Sequence, residues 1–141
     1  MDQANGDGVV VRESPEAGPY GQVVIAGHHV LGADEPEAAG GHDTGLSPYQ
    51  YVMAGLGACT SMTIRMYAQR HAWPVGRISV AVWHERLPPS GSPVRDRFLR
   101  RIRIEGELTP EQRKHLMEIA DRCPVSTTLS HGAEVVSVQE A

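Results

Sequence analysis

From Ser47 to about His71 the sequence reads as one long helix whose middle, Tyr51 to Ala68, carries a single charged side chain, Arg65. Ser47 supplies an N-cap, Pro48 takes the first helical position, and Gln50 completes a capping box three residues after the cap. Such a helix is about 35 Å long at the α-helical rise. Val52, Leu56, Cys59, Thr63 and Met66 recur on one face at spacings of three or four. With so little charge elsewhere, most of its circumference is expected to be covered by the rest of the domain or by a second chain. A 141-residue chain makes one domain with a single core side to offer such a helix. A symmetric dimer is therefore expected, with these helices packed on each other or on the partner's sheet.

Around this helix the punctuation is that of a small mixed fold. Residues 1–8 are polar and read as a disordered tail, and 9–141 as one domain. Val9 to Val11, Tyr20 to Ala26 and His28 to Leu31 read as short strands separated by Pro/Gly turns. A long aperiodic loop rich in Gly and acids follows, from Ala33 to Leu46, and loops of that length often carry function. After the helix, Ile78, Val80 and Val82 alternate with Ser79, Ala81 and Trp83, and Pro88-Pro89-Ser90-Gly91 turns the chain into a second alternating strand, Phe98 to Leu108. Thr109-Pro110-Glu111-Gln112 repeats the cap chemistry and starts a helix ending at Cys123, and Glu134 to Val138 reads as a last strand. The order is β-β-β-α-β-β-α-β, an α+β domain with a long buried central helix on an antiparallel sheet.

Charge and composition exclude several function classes. The formal net charge is −4 and aromatics make up 5% of the residues, so nothing draws the chain as a whole toward nucleic acid. The one basic stretch, Arg95 to Arg103, alternates with apolar residues and reads as the solvated face of a strand. The N-terminus has no apolar h-region, and no apolar run is long enough to span a bilayer, so a soluble cytoplasmic protein is expected.

Cys59 and Cys123 are the only thiols. Singly, each reads best as a small buried apolar residue. As a pair in patterned segments of a chain that needs no disulfide support, they point to thiol redox chemistry. Cys59 lies about three turns into its helix, beyond the reach of the N-terminal dipole, so its activation requires a cation from elsewhere in the fold.

The segments Asp34-Glu35-Pro36, Gly40-Gly41, Ser47-Pro48-Tyr49, Leu56-Gly57-Ala58-Cys59-Thr60 and Ala120-Asp121-Arg122-Cys123-Pro124-Val125 together resemble the OsmC-like proteins of the OsmC/Ohr family over nearly the whole chain. The resemblance implies an intertwined homodimer with active sites at the subunit interface, and a thiol peroxidase that reduces organic hydroperoxides and hydrogen peroxide in oxidative stress defence. It makes Cys59 the peroxidatic thiol, whose sulfenic acid condenses with Cys123, the resolving thiol, to a disulfide. It implies no resident cofactor, only an external thiol or lipoyl-type dithiol that reopens the bond.

One position departs from that pattern. Peroxidases of the family carry a glutamate one residue after the helix-start proline, paired with an arginine from the N-terminal strands; here that position is Tyr49. Arg12 is the candidate for the arginine, being the only one before Arg65. Tyr49 reads first as an aromatic packed on the loop and second as a phenolic hydrogen-bond donor. Seven histidines give no metal-ligand spacing with either cysteine; His28 and His29 are expected to face opposite ways on a strand, and His42 and His84 are secondary site candidates. The rival to a peroxidase is a non-enzymatic module that binds a small apolar ligand at its dimer interface. A protein thiol-disulfide oxidoreductase is disfavoured because its cysteines normally stand two residues apart.

Overall fold

The computed structural model describes residues 8–140, so of the expected tail only Gly8 is included, and it lies outside any regular element. The chain falls into two compact units, 1–52 and 53–141. In the first, β1 (Val10–Glu13), β2 (Gln22–Ala26) and β3 (His29–Ala33) pair antiparallel in chain order. The β2–β3 turn uses Gly27 at a φ of 60°, a conformation that carries no steric cost for glycine. His28 lies in this turn and not on the strand, so its ring sits 4.1 Å from that of His29, centroid to centroid, instead of facing away from it.

The long loop is organised by one buried carboxylate. Asp34 accepts the amides of Glu35 (2.7 Å), His42 (3.2 Å) and Thr44 (3.2 Å) and the Thr44 hydroxyl (2.7 Å). The Thr44 hydroxyl, followed by these amides, holds the Asp34 carboxyl below its ordinary value against the opposing effect of burial. Gly45 is needed where the loop passes β3, since a Cβ there would overlap the backbone of Gly32.

The central helix, α1, spans Pro48–Arg70. Its capping box forms as expected: the Ser47 amide donates to Gln50 Oε1 at 2.8 Å and the Gln50 amide to Ser47 Oγ at 3.4 Å. In the second unit β4 (Val75–Arg86) and β5 (Asp96–Gly106) make an antiparallel hairpin, followed by α2 (Pro110–Ala120) and α3 (Pro124–His131). Thr109 and Gln112 form the second capping box. The core is Ile64, Leu116 and Ala120, with Tyr67, Trp73, Ile78, Ile102, Ile104 and Leu108 packed around it.

The structure corrects several expectations. The stripe of α1 that is buried is Leu56, Thr60, Ile64 and Ala68, a strict i+4 row, and not the face of Val52, Thr63 and Met66. A helix apolar on most sides has no preferred face of its own, so its packing partners decide which row is covered. The helix is accordingly buried along one row only, and Met62 and Met66 are exposed. The strands form a three-stranded and a two-stranded sheet in place of one sheet. The second helix ends at Ala120, and an unanticipated α3 begins after Cys123. Glu134–Val138 forms no strand: an extended segment needs a neighbouring ladder, and among the described residues none pairs with it, leaving Val135, Val136 and Val138 at 87%, 72% and 86% exposure.

Candidate active site

The site grows from a change of character along the inner face of the hairpin. Side chains alternate across a strand, so the paired inner positions run Ile78 with Ile104, Val80 with Ile102, Val82 with Arg100, His84 with Phe98 and Arg86 with Asp96. The first two pairs are apolar and seat on the core. The last three introduce Arg100, His84, Arg86 and Asp96 on the same face, and there a cleft of about 470 Å³ opens, walled by Leu56, Phe98 and Leu129 and edged by Asp96, Arg100 and Asp121.

Arg100 is the central polar group. Its side chain is 15% exposed. One guanidinium nitrogen donates to Thr60 Oγ1 and to the Ala120 carbonyl, both at 3.0 Å, and the other to Asp121 at 3.0 Å. These partners stand close to the cysteines in sequence, since Thr60 follows Cys59, and Ala120 and Asp121 lie three and two residues before Cys123. The Arg95 to Arg103 run was expected to be a solvated face; this holds for Arg101, which lies over the Trp83 ring at 5.4 Å, and fails for Arg100. The signal was its even spacing with Phe98 and Ile102, which places it on the covered side of the strand.

Cys59, half-buried on α1, and Cys123, fully buried ahead of α3, are brought near enough for the Cys59 side chain to act on the Cys123 thiol. Cys123 is the N-cap of α3: its Sγ accepts the Ser126 amide at 3.3 Å, and the Thr60 hydroxyl points to it at 3.8 Å. Burial pushes the Cys123 thiol up, but the Ser126 amide, the Cys59 thiol, the Thr60 hydroxyl and the charge of Arg100 outweigh it, and the net shift is downward.

The other expected site residues are placed as follows. Arg12 lies on β1 opposite Val23 and is exposed, and Tyr49 stands in the first turn of α1 at 49% exposure. His42 is an exposed loop residue. His84 hydrogen-bonds Asp96 at 2.8 Å and stacks on Phe98, with ring centroids 4.9 Å apart. That hydrogen bond, joined by the charge of Arg86, holds the Asp96 carboxyl below its ordinary value in spite of its burial. Among the described residues no three His, Cys, Asp or Glu side chains converge as metal ligands, and no helix is long and apolar enough to cross a membrane.

The family model for OsmC-like proteins matches residues 41–138, which include both cysteines, the whole hairpin and the cleft. The chain belongs to the OsmC-like protein family. Solved structures carry the same fold. The OsmC-like protein from Mycoplasma pneumoniae shares 17% identity, with 92% of this chain and 89% of that chain covered at a TM-score of 0.73. The organic hydroperoxide resistance protein OsmC from Legionella pneumophila shares 18%, with 90% and 91% covered at 0.60. OhrB of Bacillus subtilis, an organic hydroperoxide resistance protein, shares 21%, with 86% and 87% covered at 0.56. No curated protein matches the sequence. An OsmC-like chain with mixed α+β architecture and antiparallel sheets thus fits both its sequence pattern and its structural neighbours.

Proposed function

We propose that this OsmC-like chain is a cytoplasmic thiol peroxidase that reduces organic hydroperoxides, and hydrogen peroxide, through Cys59 and Cys123. The observation that carries the reading is that two thiols far apart in sequence influence one another's titration, beside a cleft with an apolar wall and an arginine whose side chain is largely covered. Cys59 is the more accessible sulfur and takes the peroxidatic role; Cys123, buried behind it, resolves the sulfenic acid to a disulfide. The names of the Legionella and Bacillus neighbours, both hydroperoxide resistance proteins, support the same class of substrate. An external dithiol returns the pair to the reduced state.

Stoichiometric cumene hydroperoxide followed by non-reducing peptide mapping is expected to give an intrachain Cys59–Cys123 link that dithiothreitol reverses. Recovery of Cys59 sulfinate with Cys123 still free would remove the resolving role. Wild-type protein that consumes no hydroperoxide with any of several dithiols, and does not differ from Cys59→Ser, would favour the ligand-binding alternative.

The chain acts as a homodimer in this proposal. Met62 and Met66 on α1 are 59% and 53% exposed, and Val135, Val136 and Val138 are exposed as well, apolar side chains that a second copy of the chain would cover. Sedimentation equilibrium at micromolar concentration is expected to give twice the mass of one chain, and a monomer across that range would overturn the assignment.

A further inference from the structure

Arg100 occupies a strand position that suits an apolar residue. It faces inward between Phe98 and Ile102 on β5 and stands opposite Val82 on β4, with its side chain largely covered. Its charged partner, Asp121 at 3.0 Å, is 78% exposed, so the ion pair is weakened by water and offsets little of the desolvation of the guanidinium. A well-packed apolar side chain is often as stabilising at such a place. The contribution of the arginine is position. One of its terminal nitrogens donates both to Thr60 Oγ1 on α1 and to the Ala120 carbonyl at the end of α2, each at 3.0 Å. Thr60 accepts this bond while giving its own proton to the Leu56 carbonyl at 2.7 Å, one turn back on α1, and is fixed from both sides. The Ala120 carbonyl also accepts the Cys123 amide at 3.3 Å. A single guanidinium nitrogen thus holds the residue that follows Cys59 and the oxygen that receives the amide of Cys123.

Resting on the peroxidase reading above, we propose that Arg100 is a positioning residue for the resolving step: it ties α1 at Cys59 to the turn between α2 and α3 at Cys123 and so holds the two sulfurs within reach of a disulfide. The guanidinium is planar and its N–H directions are fixed, so a link made through it tolerates less drift than apolar packing of the same helix against the same turn. Disulfide closure is sensitive to such drift, because it requires the two Cα atoms within about 7 Å of one another and the Cβ vectors aimed together.

The step served is the second of the cycle. Once a hydroperoxide has oxidised Cys59 to the sulfenic acid, the Cys123 sulfur attacks the Cys59 sulfur. The S–S bond forms, the S–O bond breaks, and the hydroxide leaves as water with the proton of Cys123. A second hydroperoxide competes for the same sulfenic acid and carries it to the sulfinate. That competitor acts in proportion to its concentration, whereas resolution is intramolecular and is governed by how well the two sulfurs are placed. The first oxidation needs Cys59 and the peroxide alone, so the arginine divides the two steps: it governs the fate of the sulfenic acid and not its formation.

The placement of the thiols is read first without peroxide, by equilibrating the full chain with glutathione redox buffers. Oxidised glutathione takes two electrons and two protons, giving the Cys59–Cys123 disulfide and two reduced glutathiones, and the midpoint gives the effective concentration of one thiol at the other. Arg100→Met is expected to lower that concentration about tenfold, and Arg100→Lys to lower it less. Ile102→Val, on the same face of β5 and against the core, is the control: it is expected to lower the melting temperature and leave the effective concentration at the wild-type value. With cumene hydroperoxide, the concentration at which half of Cys59 is recovered as sulfinate is expected to fall about tenfold in Arg100→Met, while the rate of the first oxidation of Cys59 stays within about twofold of wild type. Far-UV dichroism checks folding, and if Arg100→Met does not fold, wild type against Arg100→Lys carries the comparison. A folded Arg100 variant with the wild-type effective concentration overturns the inference, and so does an Ile102→Val loss as large as that of Arg100→Met, or an equal slowing of both oxidation steps. Wild-type protein inert toward hydroperoxide, with the glutathione result as expected, supports the positioning role and rejects the peroxidase reading alone.

Discussion

Cys59→Ser is expected to abolish dithiol-dependent consumption of cumene or tert-butyl hydroperoxide, a loss of at least about 1000-fold, because a serine alcohol supplies essentially no anion at neutral pH and an oxygen nucleophile does not reduce an O–O bond. Cys123→Ser is expected to lose turnover just as completely and yet to consume one equivalent of peroxide per chain, since Cys59 can still be oxidised once but nothing then converts its sulfenic acid to a disulfide. Peroxide consumption measured with and without dithiol separates the two variants. Catalytic turnover in Cys59→Ser would place the chemistry elsewhere.

The second large effect concerns the seat of the site. Leu116 is fully buried against Ile64 and Ala120, where α2 meets α1. Leu116→Ala is expected to cost about 2–5 kcal/mol and to lower the melting temperature by roughly 10 °C, from the lost transfer free energy plus the cavity left behind. Met117, the next residue, is 46% exposed, and Met117→Ala is expected to change stability by about 0.5 kcal/mol or less. Thermal unfolding of the two variants side by side decides it. A Leu116→Ala chain as stable as Met117→Ala would mean that α2 does not seat Ala120, and with it the approach to Cys123, as described.

What was legible in the sequence was whatever is decided within a few residues. Ser47-Pro48-Tyr49-Gln50 and Thr109-Pro110-Glu111-Gln112 announce helix starts because cap, proline and glutamine interact only with one another, and both capping boxes form. The third start, Cys123-Pro124, has the same arrangement of cap and proline, but cysteine is an uncommon cap, and a proline directly after a helical run marks the end of that run as readily as the start of another. Arg100 was hidden by its neighbours: in a run containing Arg97, Arg101 and Arg103 a covered arginine differs from a solvated one only by strand parity. Glu134–Val138 has the alternation of a strand, and alternation specifies a face but supplies no partner. The buried row of α1 was settled by α2 and the hairpin, information that lies outside the helix sequence.

Each of the three α-helices among the described residues opens on a proline: Pro48, Pro110 and Pro124. A proline restricts the backbone before folding begins, so the chain gives up less conformational freedom at these points when it orders, by about 0.4–1 kcal/mol for each compatible site. At Pro124 the restriction acts next to the sulfur, because the turn it begins is the one that delivers the Ser126 amide to Cys123. The alignment of that amide is therefore partly inherited from the stiffness of a four-residue segment, and it survives changes of packing that would displace a donor brought in from a distant strand.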